Sequence, residues 1–258
     1  MNIKKIKRVH KLLFAIFLSI LVIGVFLDLS QAKTNGLNVE KILAKTAYET
    51  EIYYLSSQQE GPIVMVLSGV HGNELAGITA TYEIIPEISL TRGKLIIVPE
   101  ANRQACIKEK RCFPSKMDLN RLYPGDIFSK DLARLAVELF NIMKNNKIDF
   151  LIDLHESIDF YRNNPSRYGQ TIVIDSNDQS LKKFSQDIVC DINRNITKSN
   201  HLFQVIIKPI KGCSTYEAYN RLNIPAITFE TCQKIDFNLR VYYHQQCIKA
   251  ILNHFNMI

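Results

Sequence analysis

Two histidines and two glutamates follow apolar runs of this sequence in a pattern that could bind and use a metal ion. His71 and Glu74 are three residues apart in the turn after one run, and side chains at that spacing share one face of a helical turn. His155 follows a second run and could be the third ligand. Two histidines and a glutamate with an open position are a known ligand set of catalytic zinc. Glu230, after a third run, would be the general base that activates water beside the metal.

Each of these residues also has an ordinary explanation. A loop histidine commonly caps or stabilises its turn, and Asp153 or Glu156 could lie on a solvated rim. Glu230 follows apolar residues, where an unpaired carboxylate would be costly. A common site is favoured because three separate strands deliver histidine and carboxylate side chains to their carboxyl ends. Ligand sites of parallel sheets lie at that edge.

The elements that must position these residues alternate between strands and helices. Uninterrupted apolar runs predict strands buried on both faces, and 3.6-residue spacing predicts helices. The alternation predicts one α/β domain with a mostly parallel or mixed central sheet flanked by helices. The predicted strands are 49–55, 63–67, 94–98, 150–154, 171–174, 204–208 and 226–229, and the predicted helices are 74–85, 130–144, 179–196, 215–222 and 236–255. A long irregular segment, 100–128, lies between them, and such segments are usually functional.

The first 32 residues have the pattern of an export signal. Five basic residues precede an apolar run over 12–27, and Ser30-Gln31-Ala32 is a small-x-small cleavage pattern. The run is short for a comfortable membrane span, although an uncleaved anchor stays open. We therefore expect a signal peptide or N-terminal membrane anchor over 1–32, a tether over 33–47 and a catalytic domain over 48–258. The protein would be periplasmic, otherwise extracytoplasmic, or anchored to the membrane through the uncleaved segment.

Composition and charge exclude several classes of protein. The 258 residues are 47% hydrophobic and 22% charged, which is ordinary globular composition. The net charge is +7, but residues 1–32 hold five basic residues and one acidic residue. The remaining 27 basic and 24 acidic residues give +3, with no basic cluster interleaved with aromatics, so we expect no nucleic-acid partner. The sequence has no G-x-x-x-x-G-K-[ST] motif and no G-x-G-x-x-G motif after a strand, so nucleotide binding has no support.

Six cysteines allow two interpretations. In an exported chain an even number suggests disulfides, and Cys106 and Cys112 are close enough in sequence to close a small loop. The alternative is that all six are buried thiols. No C-x-x-C motif is present, which argues against a zinc ribbon or a thioredoxin-type redox site.

Four ordered motifs carry a family resemblance. They are Leu-Ser-Gly-Val-His-Gly-Asn-Glu over 67–74, Pro-Glu-Ala-Asn over 99–102 with Arg111 and the Asp-Leu-Asn-Arg block starting at 118, Asp-Leu-His-Glu over 153–156, and Ile-Pro-Ala-Ile-Thr-Phe-Glu-Thr over 224–231. In order and spacing, over roughly residues 60–232, they resemble the succinylglutamate desuccinylase/aspartoacylase family. The resemblance implies a single-domain zinc carboxypeptidase-like fold.

The resemblance also implies a role for each matching residue. His71, Glu74 and His155 would hold one Zn²⁺ ion. Glu230 would activate water and then protonate the leaving amine, and Arg111 would polarise the scissile carbonyl and stabilise its oxyanion. The remaining pair, Asn120 and Arg121, would bind a substrate carboxylate, because an arginine fork matches its two oxygens.

Asp153, a residue of the third motif, has two possible roles. It would either orient a ligand histidine or cap the end of a strand.

The implied function is zinc-dependent hydrolysis of an amide next to a free carboxylate. The enzyme would be a deacylase or carboxypeptidase acting on N-acyl amino acids or peptides, cell-wall peptides included. Desuccinylases and aspartoacylases carry a β-rich C-terminal domain, whereas one predicted helix follows Glu230 in this sequence. Together with the export signal, this difference favours peptide substrates in the cell envelope. The alternative is a catalytically inactive envelope ligand-binding module of the same fold.

Overall fold

The computed structural model describes residues 36–258, which fold around one mixed sheet. Its eight strands are β1 Leu37–Ile42, β2 Thr50–Ser56, β3 Ile63–Leu67, β4 Lys94–Val98, β5 Phe150–Ser157, β6 Thr171–Ile174, β7 Gln204–Ile207 and β8 Ala226–Cys232. The α-helices of the described range are α1 Leu75–Ile84, α2 Arg103–Ile107, α3 Leu132–Asn146, α4 Gln179–Asn193, α5 Ser214–Leu222 and α6 Phe237–His254. The strand order in the sheet is β1-β2-β4-β3-β5-β8-β6-β7.

The apolar runs form strands because both faces of the sheet are covered. Val64 and Val66 of β3 belong to one core, which α1, α4 and α6 cover. Met65 and Leu67, the alternate residues of the same strand, belong to a second core under α3 and α5. A strand buried on both faces needs apolar residues at every position, which is why the run has no polar alternation.

Three parallel neighbours, β3, β5 and β8, bring the functional motifs to one edge of the sheet. Leu67 at the end of β3 is opposite Asp153 of β5, and His155 is opposite Glu230 of β8. The carboxyl ends of the three strands are therefore side by side, as the sequence predicted from Brändén's rule. The antiparallel pairs lie to either side, at β1/β2, β2/β4 and β6/β8.

The structure differs from the predicted elements in several places, among them α4, which ends at Asn193 although the prediction ran to residue 196. The strand β1 lies in the segment predicted to be a tether, 33–47, and pairs antiparallel with β2 along its whole length. Five of its six residues are exposed, and the alternation of Leu37 and Val39 with polar residues is too short to predict a strand by itself. The strands β5 and β8 each run three residues beyond their predicted ends. The backbone ladder between them continues there through residues that are buried but mostly polar. The short helix α2 was not predicted.

The remaining sequence expectations concern the leader and the cysteines. The predicted leader over 1–32 lies outside the described residues. Among the helices between residues 36 and 258, none is long and apolar enough to cross a membrane. All six cysteines lie in this range and are free thiols, so the disulfide interpretation is not what the structure shows. Four are buried, whereas Cys112 is half-buried and Cys190 is exposed, so the alternative of six buried thiols is also only partly right.

Candidate active site

The turn between β3 and α1 positions His71 and Glu74 through two glycines. Gly69 adopts a positive φ of 64°, a left-handed conformation that favours glycine. Gly72 packs so closely against the next segment that a Cβ there would lie 2.0 Å from the carbonyl carbon of Ala105. The backbone can make this tight contact because both residues lack a side chain. His71 is thereby held between them, and Glu74 follows immediately before α1.

The three predicted metal ligands converge on one buried point. His71 Nδ1 lies 2.8 Å from Glu74 Oε1, and His155 Nδ1 lies 2.8 Å from Glu74 Oε2. The two Nδ1 atoms are 3.1 Å apart. All three side chains are buried, and they supply one ligand atom each within 4.8 Å of the others. Two strands separated by more than 80 residues in sequence thus assemble one compact donor set.

This donor set fits a zinc ion. Ligand atoms of a tetrahedral zinc site with bonds of about 2.0–2.1 Å are separated by roughly 3.3 Å, close to the spacing between the two Nδ1 atoms. Two unprotonated ring nitrogens repel each other at hydrogen-bond distance. A proton on one of them or a cation between them removes the repulsion. Two imidazoles with one carboxylate are also the donor types that zinc prefers.

The outer nitrogen of each histidine faces an aspartate. His71 Nε2 lies 3.0 Å from Asp118 Oδ1, and His155 Nε2 lies 3.1 Å from Asp153 Oδ1. Such outer partners fix the ring orientation and leave Nδ1 free for a metal. Asp153 was predicted either to orient a ligand histidine or to cap a strand; it lies within β5 beside His155, and its Oδ2 accepts from the Ser214 hydroxyl. Sequence reasoning assigned no role to Asp118, although it quoted the motif that contains it.

The carboxylates also change the pKa values of the histidines. Burial lowers the pKa of His71, but Glu74 and Asp118 outweigh it and hold that pKa above its usual value. For His155 burial again opposes, while Asp153 and Glu74 raise the pKa well above the ordinary value. The ligand cluster therefore has a strong affinity for positive charge, whether from protons or from a metal cation.

The side chain of Arg111 lies at the edge of the ligand cluster. It is half-exposed, with Nη1 donating to Glu74 Oε1 at 3.2 Å and Nη2 donating to Asp118 Oδ2 at 3.3 Å. This arginine lies on a loop, yet one partner belongs to the ligand cluster and the other is the aspartate that faces His71. The structure therefore places its guanidinium beside Glu74 and next to His71.

The predicted carboxylate-binding pair lies in a short 3₁₀ turn on the other side of the cluster. Asn120 is buried; its Oδ1 accepts from the Ser214 backbone N–H at 3.2 Å, and its Nδ2 lies 3.4 Å from His155 Nε2. Arg121 is exposed and donates to the Asn120 carbonyl oxygen at 2.6 Å. Its guanidinium remains largely available to a ligand, whereas the Asn120 side-chain oxygen is already engaged.

The last predicted residue, Glu230, is buried beside His155 on the neighbouring strand. Burial raises the pKa of its carboxyl to about 7, although the histidine charges of the cluster oppose the rise. A carboxyl with a raised pKa can accept a proton and later release it near neutral pH. The position is that expected of a general base next to the metal ligands.

All seven predicted site residues line one cavity of about 380 Å³. This volume lies within the usual range of small-molecule sites. Further lining residues were not predicted, and they include Asn73, Arg167, Tyr168, Asp175, Cys213, Thr228 and Gln233. Asn73 and Thr228 lie in two of the quoted motifs but had no assigned role, and the others lie on loops outside the motifs.

Behind the ligands, Glu156 connects the site to the rest of the fold. Its backbone N–H donates to Glu74 Oε2 at 3.0 Å, and its Oε2 accepts from the backbone N–H of Ala76 at 3.0 Å. Its other oxygen pairs with Arg240 of α6. From the sequence, Glu156 could have been on a solvated rim. The structure instead buries it in an ion pair that fixes the turn carrying Glu74.

The mixed sheet, the two-sided helical cover and the histidine-glutamate-histidine cluster at the carboxyl edge define an α/β protein of zinc carboxypeptidase-like fold. Residues 60–240 match the model of the succinylglutamate desuccinylase/aspartoacylase catalytic domain. The chain belongs to this family, a family of amide-bond hydrolases, and the resemblance in the sequence motifs is thereby confirmed.

Particular relatives narrow the comparison. N-alpha-acetyl-L-2,4-diaminobutyric acid deacetylase of Halomonas elongata is 35% identical over 101 residues, which are 37% of this chain and 29% of that protein. The cell shape determinant protein Csd4 of Helicobacter pylori, in its apo crystal structure, aligns with a TM-score of 0.74 at 21% identity, over 81% of this chain and 55% of that one. An aspartoacylase family protein of Mesorhizobium loti aligns with a TM-score of 0.67 at 19% identity, over 88% and 69%.

The structural neighbours share the fold rather than a close sequence. This chain spans about half of the Csd4 chain and less than a third of the deacetylase. Csd4, a D,L-carboxypeptidase, has also been crystallised with a tripeptide and with mDAP.

Proposed function

We propose that this protein is a zinc-dependent amide hydrolase that cleaves an amide next to a free carboxylate. The observation that carries the proposal is the convergence of His71, Glu74 and His155 on one point, with Glu230 buried beside them. The four residues needed for metal-assisted hydrolysis therefore share one cavity. An inactive binding module would not require this complete set.

The proposed metal is a single Zn²⁺ held by His71, Glu74 and His155. When bound there, zinc would act as a Lewis acid on the scissile carbonyl and increase the acidity of water. The residues Asp118 and Asp153 would keep the two imidazoles in the tautomer that presents Nδ1 to the metal.

The proton transfers are assigned to Glu230. Its buried carboxylate would take a proton from the attacking water and return it to the nitrogen of the leaving amine. The pKa of about 7 suits both steps, since the group accepts and donates at similar cost near neutral pH. Arg111 would stabilise the charge that develops on the carbonyl oxygen, because its guanidinium already lies at the ligand cluster.

Substrate orientation is assigned to the turn that carries Asn120 and Arg121. The exposed guanidinium of Arg121 lines the cavity and offers a fork for the two oxygens of a carboxylate. The two relatives with stated ligands or substrates are consistent with this choice, since N-acetyl-diaminobutyrate, the peptide and mDAP all carry a free carboxylate. We therefore favour N-acyl amino acids or short peptides, cell-wall peptides included, as substrates.

The place of action is proposed from the sequence alone. The basic and apolar segment of residues 1–32 supports export, with catalysis in the periplasm or at the outer side of the membrane. Cell fractionation of the full chain tests this location. Soluble full-length protein in the cytoplasm would contradict it and would favour a small-molecule deacylase.

The decisive experiment measures metal content and hydrolysis on the same preparation. The full chain is stripped with a chelator and reloaded with one equivalent of Zn²⁺, and hydrolysis of N-acyl amino acids, plain peptides and muropeptides is followed before and after. We expect activity only after reloading, and no metal retention in His155→Ala. Hydrolysis that survives complete chelation, or a reloaded protein inert toward all three substrate classes, would refute the proposal.

A further inference from the structure

The cavity extends from the ligand cluster to a buried carboxylate, Asp175, that no part of the proposed reaction uses. Asp175 immediately follows β6, is only 6% exposed and is among the lining residues. In the antiparallel pair of β6 and β8, Thr171 is opposite Glu230 and Val173 is opposite Thr228. Alternate residues of a strand share a face, so Asp175 continues the face of the sheet that carries Glu230.

The hydrogen bonds of Asp175 leave acceptor positions vacant. Oδ1 accepts from the Ile210 backbone N–H at 2.9 Å, and Oδ2 accepts from the Thr215 hydroxyl at 2.6 Å. The weakly donating thiol of Cys213 lies 3.8 Å from Oδ2. An ionised carboxylate has about four lone-pair positions, so the two strong donors do not satisfy it. The carboxylate can still accept a donor from the cavity.

No cation of the described residues, 36–258, forms an ion pair with Asp175. Three arginines line the cavity, and none of them forms an ion pair with Asp175. No lysine or histidine of this range pairs with the carboxylate either. Burial raises the pKa of Asp175 and the nearby acidic Asp153 adds to the rise, although the neutral donors around the carboxylate oppose it. A buried carboxylate without a counter-charge is costly, and a ligand cation would remove that cost.

The position of Asp175 sets the length of such a ligand. It lies four residues beyond Thr171, the residue opposite Glu230, which corresponds to roughly 13 Å along the strand. An extended lysine has about 7 Å between its α-nitrogen and its side-chain nitrogen at ordinary bond lengths. With a hydrogen bond of about 3 Å at each end, that amino acid spans the distance from Glu230 to Asp175.

We propose that Asp175 determines specificity by binding the primary ammonium at the side-chain end of the leaving amino acid. The inference rests on the proposed amide hydrolysis and names its substrate class: amides whose leaving residue is a diamino acid of about lysine length. Arg121 would hold the α-carboxylate of that residue, while Asp175 would hold the distal ammonium. The ligand named for one relative, mDAP, has two amino groups, and the substrate named for another, N-acetyl-diaminobutyrate, has one free amino group besides its acetylated nitrogen.

The test compares ligands with and without a distal ammonium, and lysine and norleucine are the pair that differ only in that group. Calorimetry on the zinc-loaded full chain measures the binding of lysine, of meso-diaminopimelate and of norleucine, which lacks the side-chain nitrogen. We expect lysine and meso-diaminopimelate to bind about ten- to a hundredfold more tightly than norleucine, as for a shielded charge-assisted hydrogen bond. The stronger of the two diamino ligands shows whether the ammonium comes from lysine or from a cell-wall amino acid.

The variant Asp175→Asn isolates the charge. Asparagine keeps an oxygen for the Ile210 N–H, and the Thr215 hydroxyl can turn toward Thr228 Oγ1, 3.1 Å away. The variant should bind norleucine as wild type does and lose most of the preference for lysine. The control, Asp178→Asn, makes the same change at the N-cap of α4, where asparagine caps equally well. It should leave the preference intact.

The outcomes separate this inference from the proposed hydrolysis. Equal binding of lysine and norleucine by wild type, or a full lysine preference in Asp175→Asn, overturns the ammonium site whatever the activity. An equal loss of both ligands in Asp175→Asn would mean a structural role only, and would also overturn it. Selective lysine binding by a protein that hydrolyses no amide would support the ammonium site and refute the proposed reaction instead.

Discussion

Replacing Asp118 should weaken zinc binding without removing any metal ligand. Its Oδ1 lies 3.0 Å from His71 Nε2 and also accepts the Asn120 backbone N–H at 2.9 Å, while Oδ2 accepts from Arg111. The carboxylate therefore orients a ligand imidazole, fixes the 3₁₀ turn and holds the arginine. Loss of such an outer partner typically costs ten- to a hundredfold in metal affinity, about 1.4–2.7 kcal/mol.

Two substitutions divide this effect. Asp118→Asn can keep its oxygen toward His71 and the Asn120 N–H, but its amide nitrogen then faces another donor, Arg111 Nη2. We expect a loss near tenfold, because a neutral acceptor stabilises the imidazole about half as well as a charged one. Asp118→Ala removes the acceptor entirely and should approach a hundredfold.

The measurement is the zinc dissociation constant, determined by competition with a chromophoric chelator at fixed pH. The control is Asp126→Asn, an exposed aspartate of the same connecting segment that accepts from the Phe128 backbone N–H and touches neither histidine. It should bind zinc like wild type. If Asp118→Ala also retains wild-type affinity, the outer hydrogen bond does not support His71, and the assignment of its tautomer is wrong.

Three further outcomes follow from the same site. Glu230→Gln should abolish turnover, by at least about a hundredfold in kcat, yet retain one zinc by metal analysis, because the amide keeps the shape and loses the base; near-normal turnover would exclude Glu230 as the base. In the metal-free protein, burial raises the pKa of Glu230 from 4.5 to about 7, so its contribution to stability is present below pH 4.5 and lost as pH rises through 7. Urea unfolding should therefore show wild type losing about 3 kcal/mol relative to Glu230→Gln between pH 4 and pH 8, and parallel curves would contradict the shift. Arg121→Lys should lower kcat/KM for a free-acid substrate by a factor equivalent to about 1 kcal/mol, because the guanidinium is exposed, and should reduce discrimination against its amidated twin; full discrimination would mean that Arg121 does not bind the carboxylate.

The parts of the fold that were predictable are those with local signals. The strands 63–67, 94–98 and 171–174 have the predicted bounds, because burial on both faces requires an unbroken apolar run. The edge strand Leu37–Ile42 has no such run, since its stability comes from the backbone ladder with its neighbour. Extension of a strand through polar residues, as at His155, cannot be read from hydrophobicity, because those side chains are buried by the site itself.

The candidate site also has residues that local sequence signals reveal and residues that they do not. The convergence of His71, Glu74 and His155 was predictable because each occurs in a short motif whose chemistry is local. Asp175 is different: nothing in its neighbourhood marks it, and its relation to Glu230 arises only because β6 lies antiparallel beside β8. Register and strand order decide which side chains extend the cavity away from the metal ligands. Chemistry common to a family can therefore be recognised in sequence, whereas the residue that selects the leaving group depends on how distant strands pair.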